Sequence, residues 1–143
     1  MPATPEANTR TRAFARVIGP FVTIATTIIS VRMPELTTAS FLGAFFGDPV
    51  IVWLTGAALL FLGLIVIAFH QYWSSVTAVL ISLFGWYLAL RGLVLLAAPE
   101  LYAHASFAST NMLPVIRVGF GLLTLMGLWL TFVGWIARPA ANS

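Results

Sequence analysis

Two arginines, Arg91 and Arg117, stand inside long apolar stretches, and His70 opens the polar run His70-Gln71-Tyr72-Trp73 at the end of another. A guanidinium offers a planar fork of donors that fits phosphate and carboxylate groups. An ionisable group within an apolar span marks a candidate site by default. The pair therefore suggests a cationic site for a lipid phosphate, a small anion or a partner's carboxylate, with Glu100 and Asp48 as the nearest acids in the sequence. The structural alternative is equally concrete: the two guanidinium groups are satisfied by Glu100, Asp48, Glu35 or backbone carbonyls. At about 1.5 Å per residue, each arginine lies roughly 5–10 Å below the end of its stretch. A long side chain at that depth can reach polar surroundings. Arg117 shares a face with Gly121, Thr124 and Gly127 and is expected to point into a helical bundle. Arg91, beside Phe84, Tyr87 and Leu88, is expected to face another helix or another subunit.

The histidines support less. His70 and His104 fall at opposite ends of the apolar stretches, so within one chain they cannot share a metal or a haem. His70, Gln71 and Trp73 read as a tight polar turn with an aromatic anchor; the alternative is a proton-handling site. The chain has no Cys, which excludes disulfides, zinc–thiolate sites and a thiol nucleophile. No acid lies inside any apolar stretch, so a carboxylate relay for coupled transport has no candidate. There is no Ser/His/acid set, phosphate-cradling loop or carboxylate pair. The expectation is a protein without enzymatic activity, metal or cofactor. With no basic stripe, nucleic acid is not an expected partner.

The elements that must position these residues follow from composition. Of 143 residues, 8% are charged and 60% hydrophobic, and the charged share is about threefold below the roughly 25% usual in soluble domains. Such a chain belongs with integral membrane proteins. A spanning helix needs about 20 mostly apolar residues. Four stretches qualify, at about 13–31, 50–69, 76–98 and 115–137. Asp48-Pro49 and Ser74-Ser75 read as caps at the starts of the second and third, while Pro99 and Pro139 follow the ends of the third and fourth. Residues 1–12, rich in Pro, Thr and Ala, are expected to be a disordered tail. Residues 13–138 then form one membrane domain, and 139–143 a second short tail. Arg10, Arg12, Arg16 and Arg138 flank one side and only Arg32 the other. The positive-inside bias places both termini in the cytoplasm of a bacterial inner membrane.

The two outer connections resemble each other. Pro34-Glu35-Leu36 recurs as Pro99-Glu100-Leu101, and Pro49-Val50-Ile51 with Gly56 as Pro114-Val115-Ile116 with Gly121, both at an offset of 65 residues. Ala39-Ser40-Phe41 recurs as Ala105-Ser106-Phe107, one residue further along. The chain thus reads as two parallel copies of a helix–connection–helix unit, about 13–70 and 74–138. Leu36, Phe41, Leu42, Phe45 and Phe46 make the first connection too apolar for a solvated link; a short interfacial helix explains it, with an irregular re-entrant segment as the alternative.

Helices in lipid associate where small residues let backbones approach. Ser82, Gly85 and Gly92 lie on one stripe, Gly56 and Gly63 on another, and Gly121, Gly127 and Gly134 on a third. These predict a four-helix transmembrane bundle, all-α, with crossing angles near 20°.

Residues 47–100 carry a further pattern: Asp48-Pro49, Gly56, Leu62-Gly63, His70 with Trp73, Gly85-Trp86, Arg91-Gly92 and Pro99-Glu100. It resembles a group of small bacterial integral membrane proteins with four spans, with Gln71 standing where Asn often follows the histidine. The resemblance implies the topology and brings no reaction with it. The functional expectation is a non-enzymatic accessory or structural subunit that binds other membrane helices, within the lipid bilayer, as a homo-oligomer or part of a larger complex. The alternative is a channel or transport module for a small anion or solute, built by a homo-oligomer around Arg91 and Arg117.

Overall fold

Most of the helices begin at a residue that satisfies free backbone N–H groups. In the computed structural model, which describes residues 4–109 and 112–137, Thr4 Oγ1 accepts from Ala7 N at 3.2 Å and opens α1, Pro5–Leu36. Thr38 Oγ1 accepts from Phe41 N and opens α2, Ala39–Gly47. Asp48 Oδ1 accepts from Val50 N at 2.9 Å and Ile51 N at 3.3 Å, ahead of α3, Pro49–Phe69. Ser75 Oγ accepts from Ala78 N before α4, Val76–Ala97. Two further helices follow: α5, Pro99–Ser109, and α6, Leu113–Thr131, the latter running on into a π-helical turn, Phe132–Ile136. The described residues are all-helical apart from short links, and α1, α3, α4 and α6 with its π turn are long and apolar enough to cross a membrane.

Two boundaries differ from expectation. The segment expected to be a disordered tail is helical from Pro5. Its own residues account for this: a capping threonine, proline at the first helical position, Glu6 in the first turn and an Arg10–Glu6 pair at 2.9 Å. Ala7 and Thr11 are buried there, so packing holds what the caps begin. At its other end α1 continues past Val31 through Pro34, where an Arg32–Glu35 pair at 2.7 Å accompanies the last turn. Arg138, Pro139 and the tail 139–143 lie outside the described residues. Both connections expected to cross between spans are short helices, α2 and α5, and they touch through Phe46, whose ring lies 6.1 Å from Tyr102 and 6.4 Å from Phe107.

The long helices associate as two antiparallel pairs, α1 with α6 and α3 with α4, and the pairs meet chiefly through α1 and α4. Glycines set both pair contacts. In α3·α4, a Cβ on Gly63 would strike the backbone of Ala89, and one on Gly92 the backbone of Leu60. In α1·α6, a Cβ on Gly19 would lie 2.5 Å from Thr131 N, on Gly127 2.7 Å from Thr23 N and on Gly134 2.8 Å from Arg16 N. Thr26 and Thr124 hydroxyls meet at 2.8 Å in the same register. Ala15, Ile18, Val22, Val66, Ile81 and Leu130 form the core between the pairs, with Phe14, Leu80, Phe84 and Met126 around them. All lie in the half of the molecule that holds the start of α1 and the end of α3. In the other half, α6 departs from this scheme: Gly119 and Gly121 would meet nothing within 4 Å if they carried a Cβ.

Candidate functional site

Three polar sites stand out against the apolar helices. At the junction of α3 and α4, His70 is the residue that ends α3 and is fully buried. Its Nε2 lies 3.0 Å from Thr11 Oγ1 of α1, and its Nδ1 lies 3.3 Å from Ser82 Oγ of α4. The Ser82 hydroxyl also lies within donating distance of the carbonyl oxygens of His70, 3.2 Å, and Tyr72, 3.1 Å. A hydroxyl has one proton. If it goes to a carbonyl, Nδ1–H donates to Ser82 and Nε2 accepts from Thr11, which is the neutral imidazole. Phe14 and Tyr72 present ring edges to it at 5.3 and 5.4 Å. His70 therefore ties α1, α4 and the turn together, beside the apolar core.

Burial pushes the His70 pKa below its ordinary value of 6.5, opposed by a backbone hydrogen bond. The sign of the consequence follows from linkage. The unfolded histidine takes up a proton near pH 6.5 while the folded one resists, so stability present above that pH is lost as pH falls through the folded value. The unfolding midpoint in detergent is expected to drop between pH 7.5 and pH 5, and the drop to vanish in His70→Asn. A slope that persists in the variant places the titration elsewhere. Of the other residues of the predicted turn, Gln71 and Trp73 are exposed.

At the opposite end, Arg91 Nη1 donates to Tyr87 Oη at 2.9 Å, and the guanidinium carbon lies 5.4 Å from the Tyr102 ring centroid and 6.0 Å from that of Tyr87. Cation–π contact and the hydrogen bond hold the side chain across α4 and α5. Burial pushes the Tyr102 phenol up, and the Arg91 charge pulls it back. Arg91 thus meets Tyr87 of its own helix and Tyr102 of α5, in keeping with the first of its two expected surroundings, another helix. Glu100 is exposed at the start of α5, and Asp48 serves as the cap of α3. The ion pairs among the described residues are Arg10–Glu6 and Arg32–Glu35, so neither acid pairs with Arg91 or Arg117.

Arg117 differs from its expected placement. It is exposed, and Gly121, one turn further along the same face, meets open space. The reason lies in α6, which contacts α1 at Thr124, Gly127, Thr131 and Gly134 but leaves the Arg117–Gly121 face of its first turns open. The other small residues of the three stripes, Gly56, Gly63, Ser82, Gly85, Gly92, Gly127 and Gly134, are all buried.

Four hydrogen bonds have no counterpart in the sequence pattern. Thr11, assigned to a disordered tail, is the His70 partner. Arg16 Nε donates to Gly134 O at 2.8 Å, satisfying a carbonyl of the π turn, and Trp135 Nε1 donates to Arg16 O at 3.2 Å. Trp129 Nε1 donates to Thr77 Oγ1 at 3.3 Å, bridging α6 to α4. The Thr4-Pro5-Glu6 start signal could have exposed the first; no local pattern announces the other three.

The described residues form an all-α fold with four helices long and apolar enough to cross a membrane, in which His70 and Arg91 join helix to helix and Arg117 does not. No family model, curated protein or solved structure matches the chain.

Proposed function

We propose that this chain is a non-enzymatic accessory or structural subunit of a bacterial inner membrane, which associates with other membrane helices through the open Arg117–Gly121 face at the start of α6. One contrast carries the reading. Gly127 and Gly134 sit against the backbone of α1, whereas Gly119 and Gly121 of the same helix face open space beside the exposed Arg117. Small residues permit close helix approach, and an arginine at this depth favours a partner that brings a carboxylate or carbonyl. In this reading both termini are cytoplasmic, α2 and α5 lie in the outer interface, and two tandem repeats build the bundle. The exchange of roles supports the repeat: α1 pairs with α6 as α4 pairs with α3.

The absence of Cys makes the test direct. A single cysteine in place of Gly121, joined by a short bifunctional reagent in membranes, is expected to capture one defined membrane protein, and Leu64→Cys, on exposed α3, is expected to capture none. Equal capture at both positions overturns the reading. Self-capture alone, together with anion flux in liposomes lost in Arg91→Ala or Arg117→Ala, replaces it with a homo-oligomeric channel.

A further inference from the structure

A groove of about 360 Å³ opens where the start of α3, the end of α4 and the start of α5 converge, lined by Phe46, Val52, Trp53, Leu95, Leu96 and Glu100 among others. Glu100 is the one ionisable residue of its lining, the others being apolar. Phe46 connects it to the neighbouring cation: its ring lines the groove and lies 6.1 Å from Tyr102, over which the Arg91 guanidinium sits at 5.4 Å. On α4, Leu95 of the groove is one turn beyond Arg91.

The chemistry of the edge is thus an apolar slot flanked by one positive and one negative group that are not paired with each other. A guanidinium carries five N–H donors, and the bond to Tyr87 engages one of Arg91's. The Tyr87 hydroxyl and the Tyr102 ring give this exposed group a preferred position, so less conformational freedom is lost when it binds. Its fork suits the two free oxygens of a phosphodiester. The opposite charge of Glu100 disfavours a purely anionic ligand and favours one that also carries an ammonium.

We propose that this edge binds one zwitterionic glycerophospholipid, with the phosphodiester on Arg91, the headgroup ammonium on Glu100 and an acyl chain along the Trp53–Leu96 groove. The site is independent of the free face of α6.

The test uses the full chain, reconstituted in bilayers of equal phosphatidylethanolamine and phosphatidylglycerol, extracted in mild detergent and examined by native mass spectrometry. One bound phosphatidylethanolamine per chain is expected, with retention about tenfold lower in Arg91→Gln, the loss appropriate to a charge-assisted hydrogen-bonded contact. Arg117→Gln is expected to retain lipid as the parent does. In Glu100→Gln the preference is expected to shift toward phosphatidylglycerol. Equal losses in Arg91→Gln and Arg117→Gln, a parent preference for phosphatidylglycerol, or no retained lipid each overturn the proposal. So does a thermal shift of the delipidated protein by inorganic phosphate as large as that by phosphatidylethanolamine, which would assign a free-anion site. Because Glu100 is exposed and bonds to no described residue, its variant decides the matter even where Arg91→Gln does not fold: an unchanged lipid ratio in Glu100→Gln overturns the proposal by itself.

Discussion

Gly63→Val and Gly92→Val are each expected to destabilise the protein by about 3 kcal/mol or more, the upper end of overpacking costs. The obstacle in both cases is backbone. A Cβ on Gly63 would strike the N, Cα and Cβ of Ala89, and one on Gly92 would strike Leu60 N and come within 2.7 Å of Gly56 O. A helix backbone cannot turn aside as a side-chain tip can, so α3 and α4 must separate along much of their contact. Apolar side chains gain little by leaving lipid, and the lost close packing has no hydrophobic substitute. Unfolding by sodium dodecyl sulfate in mixed micelles, followed by tryptophan fluorescence, reads the effect. Gly121→Ala provides the contrast. With nothing within 4 Å, it is expected to be neutral or to stabilise by up to about 1 kcal/mol through helix propensity. Similar losses at Gly63 and Gly121 would show that α3·α4 packing is not what the glycines serve.

His70→Ala is expected to cost about 3 kcal/mol in the same titration. It removes a fully buried ring, leaving a cavity, and strips Thr11 and Ser82 of their shared partner. Thr11→Val, which removes only the hydroxyl contact to Nε2, is expected to cost about 0.6–1 kcal/mol, in line with interhelical hydrogen bonds in membranes. The exposed His104 on α5 has no comparable packing, and His104→Ala is expected to stay within about 0.5 kcal/mol. The ordering matters more than the magnitudes. An His104 effect equal to that of His70 would mean that the junction between α1, α3 and α4 does not depend on the buried imidazole.

Single residues show how far the sequence can be read. Asp48-Pro49 and the serines before Val76 mark helix starts because caps act locally, within three residues. The stripe Ser82, Gly85, Gly92 indicates a close approach because small residues at helical spacing have few other uses in an apolar helix. Neither pattern names the helix that approaches. Gly121 and Gly127 look alike in sequence, yet one faces solvent or lipid and the other the backbone of α1. Their difference arises from how α1 and α6 lie relative to each other, a property of both helices together. Arg91 and Arg117 are both charges in apolar stretches, and the small-residue face expected to turn Arg117 into the bundle does not do so. Both are exposed; only the position of α5 adds the Tyr102 ring to the Tyr87 that α4 already places beside Arg91.

The scarcity of charge and the four long apolar helices are determined by residue types and their spacing alone. Hydropathy and capping are local properties, summed along the chain. Which helix meets which, the recruitment of Thr11 to His70 and the opening of the groove beside Glu100 were decided by tertiary structure. These depend on contacts between residues up to more than a hundred positions apart, such as Arg16 with Gly134. No periodicity within one helix encodes the partner of another.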